Sequence, residues 1–188
     1  MTRGHACLLR IIACVPLLAL WPDGATAQWT RFLAAGAGAS FPTGDASRDM
    51  QAGWLAEIMG GVGLPGNVVS LRLAGSYGQN TTDPVPGGGT MMGGADGGTD
   101  RTIGGMVGVM VMPDVDRDVI PYALASAGIM NSRLGVSTTS FAWTAGLGTR
   151  LQTDIAEFYL EWRLTQATRG GEPRTMIPIT VGIRIANW

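Results

Sequence analysis

Glu157 and Glu161 stand four residues apart with one parity, a spacing at which two carboxylates can face the same side of a strand. Such a pair could serve acid–base chemistry, but along one strand its Cα atoms would be about 13 Å apart at ~3.3 Å rise per residue. An arginine between or opposite them as an ion-pair partner is the reading adopted here. Ser/His/Asp arrangements and Cys or Lys nucleophiles lack their residues beyond the N-terminal segment. All thirteen basic residues are arginine, and the single histidine, His5, and both cysteines, Cys7 and Cys14, lie close to the N-terminus. Asp114, Asp116 and Asp118 resemble the opening of a calcium loop, but Val119 stands where the loop glycine belongs and Ala125 where its bidentate glutamate belongs. They are read as a solvated turn. The glycines at 87–89, 93–94 and 97–98 follow no strand-to-helix context, so no phosphate-binding loop is expected. No cofactor is expected. Met106, Met110 and Met112 alternate and read as space-filling residues.

The N-terminal segment reads as a secretory leader. Arg3 and Arg10 supply the positive region, residues 11–21 the apolar core, and Ala25-Thr26-Ala27 the small-x-small cleavage pattern. The apolar stretch is shorter than the ~20 residues of a spanning helix. Residues 1–27 are therefore expected to leave as a signal peptide, and 28–188 to form one domain without His, Cys or Lys.

The composition of the whole chain is 46% hydrophobic and only 14% charged, with 29 glycines and a net charge of −1. That balance has no basic footprint for nucleic acid. The period that organises the chain is two. Phe158, Leu160, Trp162 and Leu164 share one face, and Glu157, Tyr159, Glu161 and Arg163 the other. The same separation recurs in Ile177–Ile185, Phe141–Leu147, Val69–Tyr77, Ile103–Val111 and Trp54–Ile58. Residues 30–41 are Ala/Gly-rich with no evident facing, and 119–131 are small or apolar on both faces. Turn signals nonetheless bound both as strands. Eight strands are expected, at 30–41, 51–61, 68–78, 101–112, 119–131, 139–150, 155–167 and 175–187, matching the ~9–11 residues of a tilted membrane-crossing strand. Short connections (62–67, 113–118, 151–154) alternate with longer ones (42–50, 79–100, 131–138, 168–174), the asymmetry of an outer-membrane barrel, and an even strand count puts both termini on the short-turn side. Residues 79–100 are too poor in apolar groups to offset their ordering entropy and are expected to be a mobile loop.

An apolar face of large side chains set against a face of Gly, Ala and balanced charge suggests a barrel turned inside out. Glu57, Glu157 and Glu161 would pair in the lumen with Arg72, Arg150, Arg163 and Arg184, since buried charge must be paired. Aromatics near the strand ends would form two girdles, with Trp29, Phe32, Tyr122, Phe158 and Trp188 on the periplasmic rim and Phe41, Tyr77, Phe141 and Trp143 on the outer rim.

These features together resemble the small outer-membrane β-barrels typified by the OmpA transmembrane domain and OmpX, over residues 28–188. The resemblance implies an all-β, eight-stranded, antiparallel up-and-down transmembrane barrel in the bacterial outer membrane. It implies a C-terminal aromatic, here Trp188, read by the barrel-assembly machinery. The phase upstream departs from the pattern, because Arg184 and Ala186 share the parity of Trp188, and a bulge near 186–187 would restore it. No appended peptidoglycan-binding domain is expected. Outer-membrane barrels that are enzymes use a catalytic histidine, which the mature chain lacks. The expected role is therefore structural or surface interaction, with outer-membrane lipid as partner and no identifiable extracellular ligand. Two other roles are a narrow pore for a small hydrophobic solute, for which Gly104, Gly108, Gly146, Gly148 and Gly182 would leave free volume, and a soluble periplasmic lipocalin-like barrel.

Overall fold

The computed structural model describes residues 29–66, 68–82, 98–115, 117–134, 136–153, 156–169 and 172–186. The proposed leader and Trp188 lie outside these residues. Eight strands run in chain order: β1 (Thr30–Thr43), β2 (Gly53–Gly63), β3 (Val69–Thr82), β4 (Gly98–Val111), β5 (Val119–Leu134), β6 (Val136–Gln152), β7 (Glu157–Arg169) and β8 (Glu172–Ala186), with one short helix, α1 (Ala46–Asp49), between β1 and β2. Each strand pairs antiparallel with the next, and β8 pairs with β1 to close the barrel. Closure leaves no free strand edge, so each strand is paired on both sides.

Alternation decides which side chains point where. Phe158, Leu160 and Trp162 on β7, Val181, Ile183 and Ile185 on β8, Leu147 on β6, and Val107, Val109 and Val111 on β4 are all exposed on the outer surface. Their neighbours of opposite parity, among them Glu57, Arg72, Glu161, Arg163 and Arg184, are buried in the lumen. This inverts the arrangement of a water-soluble barrel. The two ambiguous segments also resolve. In β1, Phe32, Ala34 and Ser40 are buried, while Ala35, Ala37 and Phe41 face out. In β5, Ile120, Tyr122, Leu124 and Met130 are buried, and Ala123, Ala125 and Ile129 face out.

The turn end of the barrel is closed by short connections. Between β2 and β3, Gly66 takes φ 87°, which a side chain disfavours, after Pro65. Leu64 N–H donates to the Val69 carbonyl at 2.8 Å. Between β6 and β7, Thr153 Oγ1 donates to the Ala156 carbonyl at 2.7 Å.

The opposite, loop end differs from expectation. Residues 131–138 and 168–174 are not open loops. β5 runs to Leu134 and β6 begins at Val136, and β7 runs to Arg169 with β8 beginning at Glu172. Polar Ser, Asn and Thr in these segments suggested turns, but beyond the apolar belt both strand faces are free to be polar. Asn131 Nδ2 donates to Ser137 Oγ and Thr139 Oγ1, each at 2.9 Å, so the side chains reinforce the ladder. Likewise Asn80–Thr82 and Gly98–Asp100, placed in a mobile loop from sequence, pair with each other in register. The remainder of that loop lies outside the described residues.

The aromatic girdles need correction. Phe41, Trp54, Phe141 and Trp143 face out at the loop end, and Trp54 packs on Tyr77 with ring centroids 5.5 Å apart. At the turn end Trp29 and Phe158 face out. Phe32 and Tyr122, however, point into the lumen. Each has a parity set by its strand, and in β1 and β5 that parity turns the ring inward.

Candidate functional site

The lumen is where charge collects. β7 supplies Glu157, Glu161 and Arg163 along one inward face, because residues two apart share a side. On the opposite wall β3 supplies Arg72, whose Nη1 donates to Glu161 Oε1 at 2.8 Å and Nη2 to Oε2 at 3.5 Å. Arg163 Nη1 donates to Glu57 Oε2 at 2.7 Å and lies 3.3 Å from Glu161 Oε2. Tyr122 Oη donates to Glu161 Oε1 at 2.9 Å, and Tyr159 Oη to Glu57 Oε1 at 3.3 Å. A continuous chain Glu57–Arg163–Glu161–Arg72 therefore spans the barrel. Glu161 is 1% exposed and Arg72 3%. At that burial an unpaired charge would be prohibitive, and a shared, multiply hydrogen-bonded one is tolerated.

A second group lies nearer the turn end. Glu157 Oε2 is 3.3 Å from Arg184 Nη1 and 3.8 Å from Arg150 Nε. These contacts are longer than the 2.8 and 2.7 Å pairs Arg72–Glu161 and Arg163–Glu57 of the central chain. Arg184 also stacks over the Phe32 ring, its Cζ 4.2 Å from the centroid, a cation–π contact. All seven charged residues singled out in the sequence thus line one lumen, and four arginines face three glutamates. The two glutamates considered as a carboxylate pair do not act on a common point, since each is engaged by different arginines.

A third group was missed. Asp100 and Arg174, both assigned to loops, meet inside the loop end with Nη1–Oδ2 at 3.1 Å. Ser132 Oγ donates to Asp100 Oδ1 at 2.6 Å, and Arg174 Nη1 lies 3.4 Å from Met50 Sδ. Their parity, shared with Thr102 and with Met176, was the available signal. The loop-like composition around them hid it.

The lumen glycines do not leave free volume. A Cβ on Gly148 would run into the Tyr122 ring, one on Gly182 or Gly36 into Tyr159, and one on Gly146 into Arg163. The absent side chains are the space into which the network's own residues fit. What remains is a cavity of about 70 Å³ on the loop side of the central chain, bordered by Glu57, Arg163, Asn80, Met106, Met130 and Met176. A smaller one of about 20 Å³ lies on the turn side between Arg72, Glu161, Tyr159 and Arg184. A water needs about 10–15 Å³ of such space and a small-molecule pocket about 300 Å³ or more, so both cavities fall below the size of a small-molecule pocket. Met59, Met110 and Met112 pack with Phe32 and Tyr122 below the charges. Among the described residues no group of His, Cys, Asp and Glu is placed to hold a metal. Asp114 and Asp118 are exposed in the β4–β5 turn, and Asp116 lies outside the described residues.

A closed eight-stranded antiparallel barrel, apolar outside and charged within, has the fold of the small outer-membrane β-barrels. Several solved structures share it. Neisserial surface protein A aligns at 16% identity and TM-score 0.52, covering 86% of this chain and 99% of its own. Ail, the attachment invasion locus protein of Yersinia pestis, solved in complex with the heparin analogue sucrose octasulfate, aligns at 12% identity and TM-score 0.54, covering 84% and 99%. At these identities the likeness is one of fold. No family model matches the sequence, and no curated protein matches it.

Proposed function

We propose that the chain is a non-enzymatic integral protein of the bacterial outer membrane, with a structural or surface-interaction role and a lumen plugged by its own ion pairs. One observation carries the reading: the large apolar side chains encircle the outside while the ionised ones are buried inside. Exposed to water, that belt would far exceed the few hundred Å² of contiguous apolar patch that a soluble monomer tolerates. In hydrocarbon it is the required surface. The lipocalin-like alternative needs the opposite facing. The pore alternative needs an open path, which the Glu57–Arg163–Glu161–Arg72 chain crosses.

Residues 1–27 would direct export, with Gln28 as the first residue of the mature protein, and Trp188 would be read by the assembly machinery. Surface contact is favoured over catalysis because residues 28–188 contain no histidine, cysteine or lysine. The naming of Ail for attachment and of the neisserial protein for the cell surface fits the same role.

The test is electrophoretic mobility of an outer-membrane fraction in SDS, unboiled against boiled. A folded barrel keeps a different mobility until boiled. Unchanged mobility with the protein recovered in the soluble periplasm would refute the membrane reading. Planar-bilayer recording then tests the plug: conductance at background is expected, and a stable open level would refute it.

A further inference from the structure

Two features stand one above the other on the outer surface of β3, β4 and β5. Near the loop end the register joins Gln79, Arg101, Arg133 and Ser137 across four strands. It places two arginines directly opposite each other on β4 and β5. The Cβ atoms of such pairs are about 4.5–5.5 Å apart, and like charges so placed destabilise a sheet. Both arginines have outward parity and are exposed, and among the described residues neither has a salt-bridge partner. Nothing within the described barrel relieves their repulsion.

Four residues toward the turn end, about 13 Å along the strands, the register joins Ile58, Gly75, Gly105 and Ile129. A Cβ on Gly105 would meet nothing within 4 Å, and one on Gly75 only Ile58 Cγ2 at 3.8 Å. The bordering Ile129 and Val107 are 64% and 63% exposed. The two glycines therefore floor a trough in the apolar belt, open to the surroundings and walled by aliphatic side chains. Between trough and arginines runs a row holding Tyr77, Ile103 and Asn131, with Gln79 Nε2 donating to Tyr77 Oη at 2.6 Å. That mixture of apolar and polar groups suits the membrane–water interface.

We propose that this face binds a phosphate-bearing acyl lipid of the outer leaflet, its phosphate bridging Arg101 and Arg133 and an acyl chain lying in the trough over Gly75 and Gly105. A phosphate accepts from both guanidinium forks at once and converts a like-charge pair into a charge-assisted cluster. An acyl chain restores the contacts that a bare backbone floor forgoes. Arginines serving only as interfacial anchors would need no trough beneath them, and a trough serving only packing would need no charge above it. The proposal deepens the outer-membrane reading and rests on it.

The experiment is native mass spectrometry of the mature chain in a non-ionic detergent. The probes are diphosphoryl lipid A, its fully dephosphorylated form, inorganic phosphate and sucrose octasulfate. The wild type should retain the diphosphoryl lipid preferentially. Replacing both arginines, Arg101→Gln with Arg133→Gln, removes charged hydrogen bonds and should weaken retention about tenfold or more. Gly105→Leu, whose added Cβ meets nothing within 4 Å, fills the trough and should weaken retention about tenfold with the arginines intact, because the acyl chain loses its buried apolar contact. Arg48→Gln, on α1 away from this face, should change nothing. Equal retention by all variants would overturn the proposal. Tight binding of sucrose octasulfate that Gly105→Leu leaves unchanged would also overturn it, making the arginines a site for soluble polyanions. Inorganic phosphate bound as tightly as the lipid would remove the acyl half. Each variant is first checked for the unboiled gel shift. A wild type without that shift refutes the membrane barrel itself, whereas a shifting wild type that ignores the lipid refutes only this site.

Discussion

Arg72 and Glu161 reach each other from opposite walls of the barrel, β3 and β7, through two hydrogen bonds of 2.8 and 3.5 Å. Glu161 also accepts from Tyr122 on β5 and lies against Arg163 on its own strand, so one carboxylate ties β7 to two strands that are not its neighbours, β3 and β5. A group with that many buried partners should dominate the stability of the interior.

Removing one partner should cost more than removing the pair. Arg72→Ala or Glu161→Ala strands a buried charge, for which about 3–5 kcal/mol is typical. Arg72→Met combined with Glu161→Leu should recover much of that loss. Tyr122→Phe, which deletes one hydrogen bond to a charged acceptor, should cost about 1.5–3 kcal/mol. Urea unfolding of the barrel in detergent, followed by tryptophan fluorescence, measures all four. A double variant worse than either single one would contradict the assignment.

The outer belt makes a prediction of opposite kind. Val181 is 58% exposed near the middle of β8. In water, Val181→Arg would be nearly neutral. In a bilayer it should cost about 2–4 kcal/mol, because a charge at the midplane of a barrel's lipid face is unfavourable by that amount. Thr168→Arg, on the exposed outer face at the polar loop end of β7, should cost no more than about 1 kcal/mol. Folding into phosphocholine vesicles at graded urea separates the two cases.

The glycines divide by what surrounds them. Gly36 lies against Tyr159 and the Val181 carbonyl, so Gly36→Val must displace the tyrosine that donates to Glu57. Overpacking of this type costs about 1–3 kcal/mol. Gly105→Ala meets nothing and should be neutral or stabilising by about 0.4–1 kcal/mol, since it restricts the unfolded chain. The thermal midpoint of the unboiled gel shift should fall for the first and hold for the second.

Trp188 tests the proposed assembly signal. β8 pairs with β1 without interruption as far as Ala186, so no bulge resets the phase before that point. Arg184 faces in and Ile185 out. Deleting Trp188 should lower the amount of protein reaching the outer membrane while leaving the fold obtained by refolding in detergent unchanged. Equal membrane yield would show that the machinery does not read this residue.

The strand count and most of the facing were legible in the sequence, because a period of two with one apolar and one mixed face admits few other readings. Phe158, Leu160 and Trp162 against Glu157, Glu161 and Arg163 carried that information within a single strand. Where both faces are small, as in β1 and β5, the pattern carries none. There closure decided: only pairing with defined neighbours on both sides turned Phe32 and Tyr122 inward. The set of lumen charges could likewise be collected from parity, but not their partners. Arg72 meets Glu161 across a curvature that local spacing does not encode. Asp100 and Arg174 escaped notice because polar composition near a strand end reads as loop, whereas a barrel wall extending past its apolar belt can be polar on both faces and still be fully hydrogen-bonded.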